Sequence, residues 1–150
     1  MKRRPPIPTT GALATVRAIY DALTHRPIER SCVRLGECCH FKLTGRTPFL
    51  TKGEALEAAR GLRASGRTRL PKEDDGRCPL LDSAKQRCLV YEARPFGCRT
   101  HFCATAGGPY SRGEVADLIH RLEDVDRALG GDGARPLRAA VEAALEQLAH

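Results

Sequence analysis

The sequence predicts a mainly α fold with an irregular cysteine-rich metal-binding region, a small β-hairpin and a C-terminal helical hairpin. Three observations point there. Apolar residues recur at helical spacing in four stretches. Ser/Thr-x-x-Glu capping boxes open two of them. All seven cysteines fall between Cys32 and Cys103, mostly in segments without helical periodicity.

The elements follow in order. Residues 10–25 read as a helix, with Leu13, Val16, Tyr20 and Leu23 on one stripe and Ile19 widening it. Thr9 or Thr10 caps it and Pro27 stops it. Residues 31–49 are irregular. Thr51-Lys52-Gly53-Glu54 opens a helix over 52–64, with Leu56, Ala59 and Leu62 inward and Gly66 as the stop. Residues 67–77 form a polar loop. Apolar runs at 78–81 and 87–91 around the polar turn 82–86 predict a hairpin. Strands this short need an outside tie, which Cys78 and Cys88 on its two arms could supply. Ser111-Arg112-Gly113-Glu114 is the second capping box. Val115, Leu118, Ile119, Leu122, Val125 and Leu129 continue from it to Gly130-Gly131. A last helix starts near Pro136 and carries Leu137, Val141, Ala144, Leu145 and Leu148. Residues 111–150 thus read as a helical hairpin whose stripe suits a core, a cover over the metal region or a dimer face.

At 150 residues the chain has the size of a single domain, 1–150. With 41% hydrophobic and 29% charged residues it suits a folded rather than a disordered chain. No apolar run approaches the ~20 residues of a membrane helix, so no membrane association is expected. Residues 1–8 are basic, but no apolar stretch follows as in a secretory signal, so a cytoplasmic location is expected.

Reducing conditions there disfavour structural disulfides, as do the odd cysteine count and the adjacent Cys38 and Cys39. Clustered thiols in that setting point to metal binding or redox chemistry. Thiolates are strong ligands for zinc and iron–sulfur clusters, and a tetrahedral site takes four. Cys32, Cys38 and Cys39 form one candidate group; Cys78, Cys88, Cys98 and Cys103 form the other. The intervening helix can return the chain so that the groups meet. The competing readings are small buried hydrophobes or a disulfide framework. His40 and His101 stand beside cysteines as additional donor candidates, while His25, His120 and His150 read as solvated. Arg94 and Arg99 flank Cys98 and could donate to thiolates, or simply lie at the surface. Tyr91 and Phe96 would pack the surrounding shell, and Pro95 would shape the turn presenting Cys98. The thiolate preference suits zinc or iron and disfavours calcium or magnesium.

The ordered set Cys32…Cys38-Cys39, a Thr-x-x-Glu helix start, Cys78-Pro79-Leu80-Leu81, residues 88–95 (CLVYEARP), Cys98-Arg99 and Cys103 resembles the YkgJ-like cysteine-cluster family, the CxxCxxCC zinc- or iron-chelating domain. The resemblance spans about residues 32–103. It implies a bacterial domain with about eight cysteines that holds zinc, iron or an iron–sulfur cluster, its biological role mostly unassigned. In some relatives the domain occurs in a flagellin lysine methylase. One departure stands out: aligned on the family motif, Leu35 occupies a cysteine position, so eight thiolates cannot assemble. Either the site is smaller, or His40 or His101 substitutes, or a metal keeps an open position.

The formal net charge is +7, and residues 1–105 hold 20 Lys/Arg against 10 Asp/Glu. Basicity alone would suggest nucleic acid. The thiols share that segment, however, and seven thiolates around two zinc ions would leave the chain near about +4. No paired Cys-x-x-Cys knuckles or aromatic stacking motif support a zinc-dependent nucleic-acid module, so nucleic acid is disfavoured as a partner. No P-loop, nucleophile elbow or His-Glu-x-x-His appears. The leading expectation is a cysteine-cluster metal protein. The alternative is an iron–sulfur oxidoreductase or an accessory to a redox or methylating enzyme. A protein partner stays open, and the oligomeric state is not set by the sequence.

Overall fold

The computed structural model describes residues 9–25, 48–70, 79–82, 87–100 and 112–149. Helix α1 spans Thr9–Thr24, and Leu13, Val16, Ile19, Tyr20 and Leu23 are buried along it, as the stripe predicts. The two-residue strand β1, Phe49–Leu50, leads into α2, Lys52–Ala64. The Thr51–Glu54 capping box is present, so the helix begins where the sequence places it.

The strands β2, Leu81–Asp82, and β3, Arg87–Cys88, pair antiparallel with Leu81 opposite Cys88. The Leu89 amide extends the ladder by donating to the Leu80 carbonyl at 2.6 Å. A 3-10 turn at Tyr91–Ala93 and the five-residue helix α3, Phe96–Thr100, follow. Helix α4 spans Arg112–Ala128 and α5 spans Leu137–Leu148. Between them lies β4, Arg135–Pro136, which pairs antiparallel with β1, Phe49 opposite Pro136. The architecture is therefore mainly α with a small hairpin and C-terminal helices, as expected; the β1–β4 pairing is an addition.

Helix α2 is central. The most extensive contact of α5 is with α2, while α4 packs on α1 and α2. This explains why α2 buries more than one stripe: Leu56, Ala59 and Leu62 face inward as predicted, but Gly53, Ala55 and Ala58 are buried too. Small residues let three helices approach. A Cβ on Gly53 would stand 2.9 Å from both Val16 Cγ2 and Val125 Cγ1, closer than carbon atoms pack. On α4, Val115, Leu118, Leu122 and Val125, with Leu129 just past its end, are buried in the same apolar cluster, and Ile119 packs at its edge. The predicted stripe of 111–150 thus serves the core.

Two buried charges, unexpected from periodicity, lock these helices. Glu57 on α2 is 1% exposed and pairs with Arg17 of α1 at 3.1 Å and with Arg60 one turn on. Asp126 on α4 is 2% exposed; it accepts from the Lys52 amide at 2.7 Å and from the Gly133 amide at 3.0 Å. One carboxylate thereby satisfies an orphan donor at the start of α2 and the turn before β4.

Candidate metal centre

The segment 87–100 carries two of the predicted ligands, and its path follows from its residues. Cys88 sits on β3, half-buried against the core. Val90 and Ala93 turn the chain onto α2 at Gly61, where an added Cβ would meet Ala93 Cβ at 3.1 Å and Val90 Cγ1 at 3.3 Å. Arg94 precedes a proline and is extended, φ −57° and ψ 140°. Pro95 is fully buried, and its carbonyl accepts from the amides of Cys98 at 3.0 Å and Arg99 at 3.1 Å. Pro95 therefore does shape the turn that presents Cys98, which is half-buried in the middle of α3.

The anchor of this turn is Glu54. Its Oε2 accepts from the Thr51 amide and hydroxyl, each at 2.8 Å, and its Oε1 accepts from the Phe96 amide at 2.8 Å. The capping-box residue of α2 thus also satisfies the first orphan amide of α3, 42 residues away. Burial pushes the Glu54 carboxyl up from its ordinary value, and the three hydrogen bonds from Thr51 and Phe96 oppose this. Phe96 itself is buried in the apolar core.

Arg99 closes the turn from the other side. It donates to the carbonyls of Arg94, at 2.7 Å, and of Glu92. Its guanidinium stacks 4.0 Å from the centre of the Tyr20 ring on α1. Its described contacts are thus backbone and aromatic, where the sequence suggested thiolates or the surface. Tyr20 is 3% exposed and its hydroxyl has no hydrogen-bond partner among the described residues. Burial, and next the Glu54 carboxylate, hold the Tyr20 phenol well above its ordinary pKa, while Arg99 pulls the other way.

The remaining predicted ligands, Cys32, Cys38, Cys39, Cys78 and Cys103, lie outside the described residues, as do Leu35, His40, His101 and His150. Among the described residues no group of three or more His, Cys, Asp or Glu side chains could hold a metal. His25 and His120 are exposed, as expected. Sequence reasoning missed Glu54 as an anchor and Tyr20 as a neighbour of the Cys98 turn. The capping box signalled the first; nothing in the helical stripe distinguished the second from a core aromatic.

Among the described residues, a helical scaffold holds a cysteine-bearing turn against the core through a buried carboxylate and an arginine. The chain belongs to the CxxCxxCC family, "Putative zinc- or iron-chelating domain", whose model matches residues 31–118 and so takes in all seven cysteines. No curated protein and no solved structure matches the chain.

Proposed function

We propose that this protein chelates zinc or iron through the thiolates of Cys32, Cys38, Cys39, Cys78, Cys88, Cys98 and Cys103. The observation that carries the reading is the anchored turn. Pro95, Glu54 and Arg99 hold the backbone around Cys98, so a ligand at this position would lose little freedom on binding. The donors suit the metals: half-buried thiols are soft ligands, and Arg99 adds a compensating charge beside Cys98. When bound, the metal would cross-link segments distant in sequence, so its binding energy would become folding energy.

Zinc in a structural role is the favoured occupant, with iron or an iron–sulfur centre next. The whole chain 1–150 would act as one domain, in a reducing compartment such as the cytoplasm, where thiols persist. Leu35 limits the donor count to seven thiolates.

Anaerobic purification followed by metal analysis and a visible spectrum tests the reading. Colourless protein with near-stoichiometric zinc supports the structural site. Brown protein with iron and sulfide favours the redox reading. Folded protein that takes up neither metal overturns both. Cys98→Ser should lower metal content and melting temperature together.

A further inference from the structure

The geometry points to a binding site for a phosphate group, free or as a monoester, between the guanidinium groups of Arg17 on α1 and Arg60 on α2, which the buried Glu57 carboxylate holds side by side. The inference goes beyond the metal-chelating reading and uses none of the cysteines.

Two like charges from different helices meet at one atom. Arg17 Nη1 and Arg60 Nε each donate to Glu57 Oε2 at 3.1 Å, so the two nitrogens stand no farther apart than twice that distance. Arg60 Nη2 also donates to Oε1, so Arg60 alone engages both oxygens in a fork and balances the charge of Glu57. Arg17 is then a second cation on a carboxylate already neutralised, and the unit keeps one positive charge in excess. Glu57 is 1% exposed, whereas the Arg17 and Arg60 side chains are 46% and 45% exposed. The anchor is buried and the cations face the solvent.

Among the described residues, the Nε–Nη2 edge of Arg17 and the Nη1 group of Arg60 have no hydrogen-bond partner. Such an edge is the one with which a guanidinium grips an oxyanion in a fork. A phosphate group has oxygens enough to accept from both arginines at once. A carboxylate is filled by one fork, and chloride makes none. Because Glu57 already restrains both side chains, less of their freedom remains to be lost on binding.

The neighbouring charges favour an anion. Across the described segment 48–70 both acidic residues, Glu54 and Glu57, are buried, while Arg60, Arg63, Arg67 and Arg69 are exposed. Arg63 also caps the Leu148 carbonyl of α5. On α1, Asp21 is exposed one turn after Arg17, but the ion pair of Arg17 is with Glu57. The outer side of α2 and its exit therefore present only cations, which raises the local concentration of anions.

The test follows the arginine Nε–H resonances of the full chain by NMR while inorganic phosphate replaces chloride at constant ionic strength. The expected result is a saturable shift at Arg17 and Arg60 and none at Arg121, an exposed arginine on α4. Arg17→Lys keeps the charge and removes the planar edge, and Arg60 still satisfies Glu57 in that variant. Phosphate affinity read at Arg60 should then fall about ten-fold, the equivalent of one charge-assisted hydrogen bond. A repeat with phosphoserine separates the sources. Tighter binding than inorganic phosphate supports a site for a phosphate carried on an organic molecule, and equal binding supports a site for the free ion. Shifts that chloride or acetate reproduces, or that spread equally to Arg121, would overturn the proposal by reducing the effect to general screening. Undiminished affinity in Arg17→Lys would overturn it too, because positive charge alone would then suffice.

Discussion

Glu54 is the side chain on which the candidate site most visibly depends, and its replacement has a calculable cost. Glu54→Ala removes an acceptor shared by the Thr51 amide, the Thr51 hydroxyl and the Phe96 amide, each at 2.8 Å. Loss of the cap costs about 1 kcal/mol. The Phe96 amide, left buried without a partner, adds about 1–3 kcal/mol. Relief of the buried charge offsets part of this, because burial already disfavours the carboxylate. The net expectation is a loss of about 2–3 kcal/mol, or roughly 5–10 °C in melting temperature for a chain of this size. Glu54→Gln keeps the side-chain carbonyl as an acceptor and should lose about half as much.

The pH dependence supplies an independent check. The folded-state pKa of Glu54 is raised, so the folded chain holds this proton more tightly than the unfolded one. Its stabilising contribution is fully present below the ordinary glutamate value of about 4.3 and is lost as pH rises through the raised value. Wild type should therefore lose stability relative to Glu54→Gln as pH rises from about 4 towards neutral. Urea denaturation of both proteins at matched pH values reads the difference. A Glu54→Ala loss under about 0.5 kcal/mol, the range of ordinary surface substitutions, or a pH slope of opposite sign, would refute the assignment.

Gly53→Ala should cost about 1–3 kcal/mol in chemical denaturation despite its gain in helix propensity, because the new methyl meets Val16 and Val125 at 2.9 Å. Gly113→Ala, with no atom of the described residues within 4 Å of the added carbon, should be neutral or stabilise by up to about 1 kcal/mol, and this contrast controls for propensity. Asp126→Ala should destabilise by about 1–3 kcal/mol and raise amide exchange at Lys52 and Gly133, the two donors it releases. Exchange unchanged at both would show that Asp126 is not their acceptor.

The helices were legible because each carries a local signal. The box at Thr51–Glu54 marks the start of α2, and the stripes of α1, α4 and α5 name their own buried faces. The hairpin was legible from two apolar runs and a polar turn. What escaped is non-local. β1 and β4 are two residues each and lie far apart in sequence, too short for any alternation to register. Hydrophobic periodicity carries no signal for the burial of Asp126 and Glu57, which depends on partners 74 and 40 residues away. Glu54 was read as an N-cap partner, and the pattern cannot reveal that its second oxygen serves Phe96. At the site, the Cys98 turn was recognisable from Pro95 and the cysteine spacing. The stacking of Arg99 on Tyr20 was not, since it joins α1 to a segment almost eighty residues on.

These long-range ties bear on how much chain the cysteine cluster needs. The family model matches residues 31–118, yet 14 of the 27 buried apolar residues in the described core lie outside that range, on α1, in the later part of α4 and on α5. The same flanks supply Arg17 to Glu57, Asp126 to the start of α2 and the Tyr20 ring beneath Arg99. Excising residues 31–118 would uncover Leu56 and Leu62 on α2 and leave buried Glu57 without Arg17. Each large aliphatic side chain returned to water forfeits about 1.5–3 kcal/mol, so several together are comparable to the 5–15 kcal/mol that stabilises a typical domain. The excised segment should therefore show no cooperative thermal transition without metal, while the full chain does. A transition near the full-length melting temperature would show instead that the cysteine region folds independently and that α1 and α5 are accessory to it.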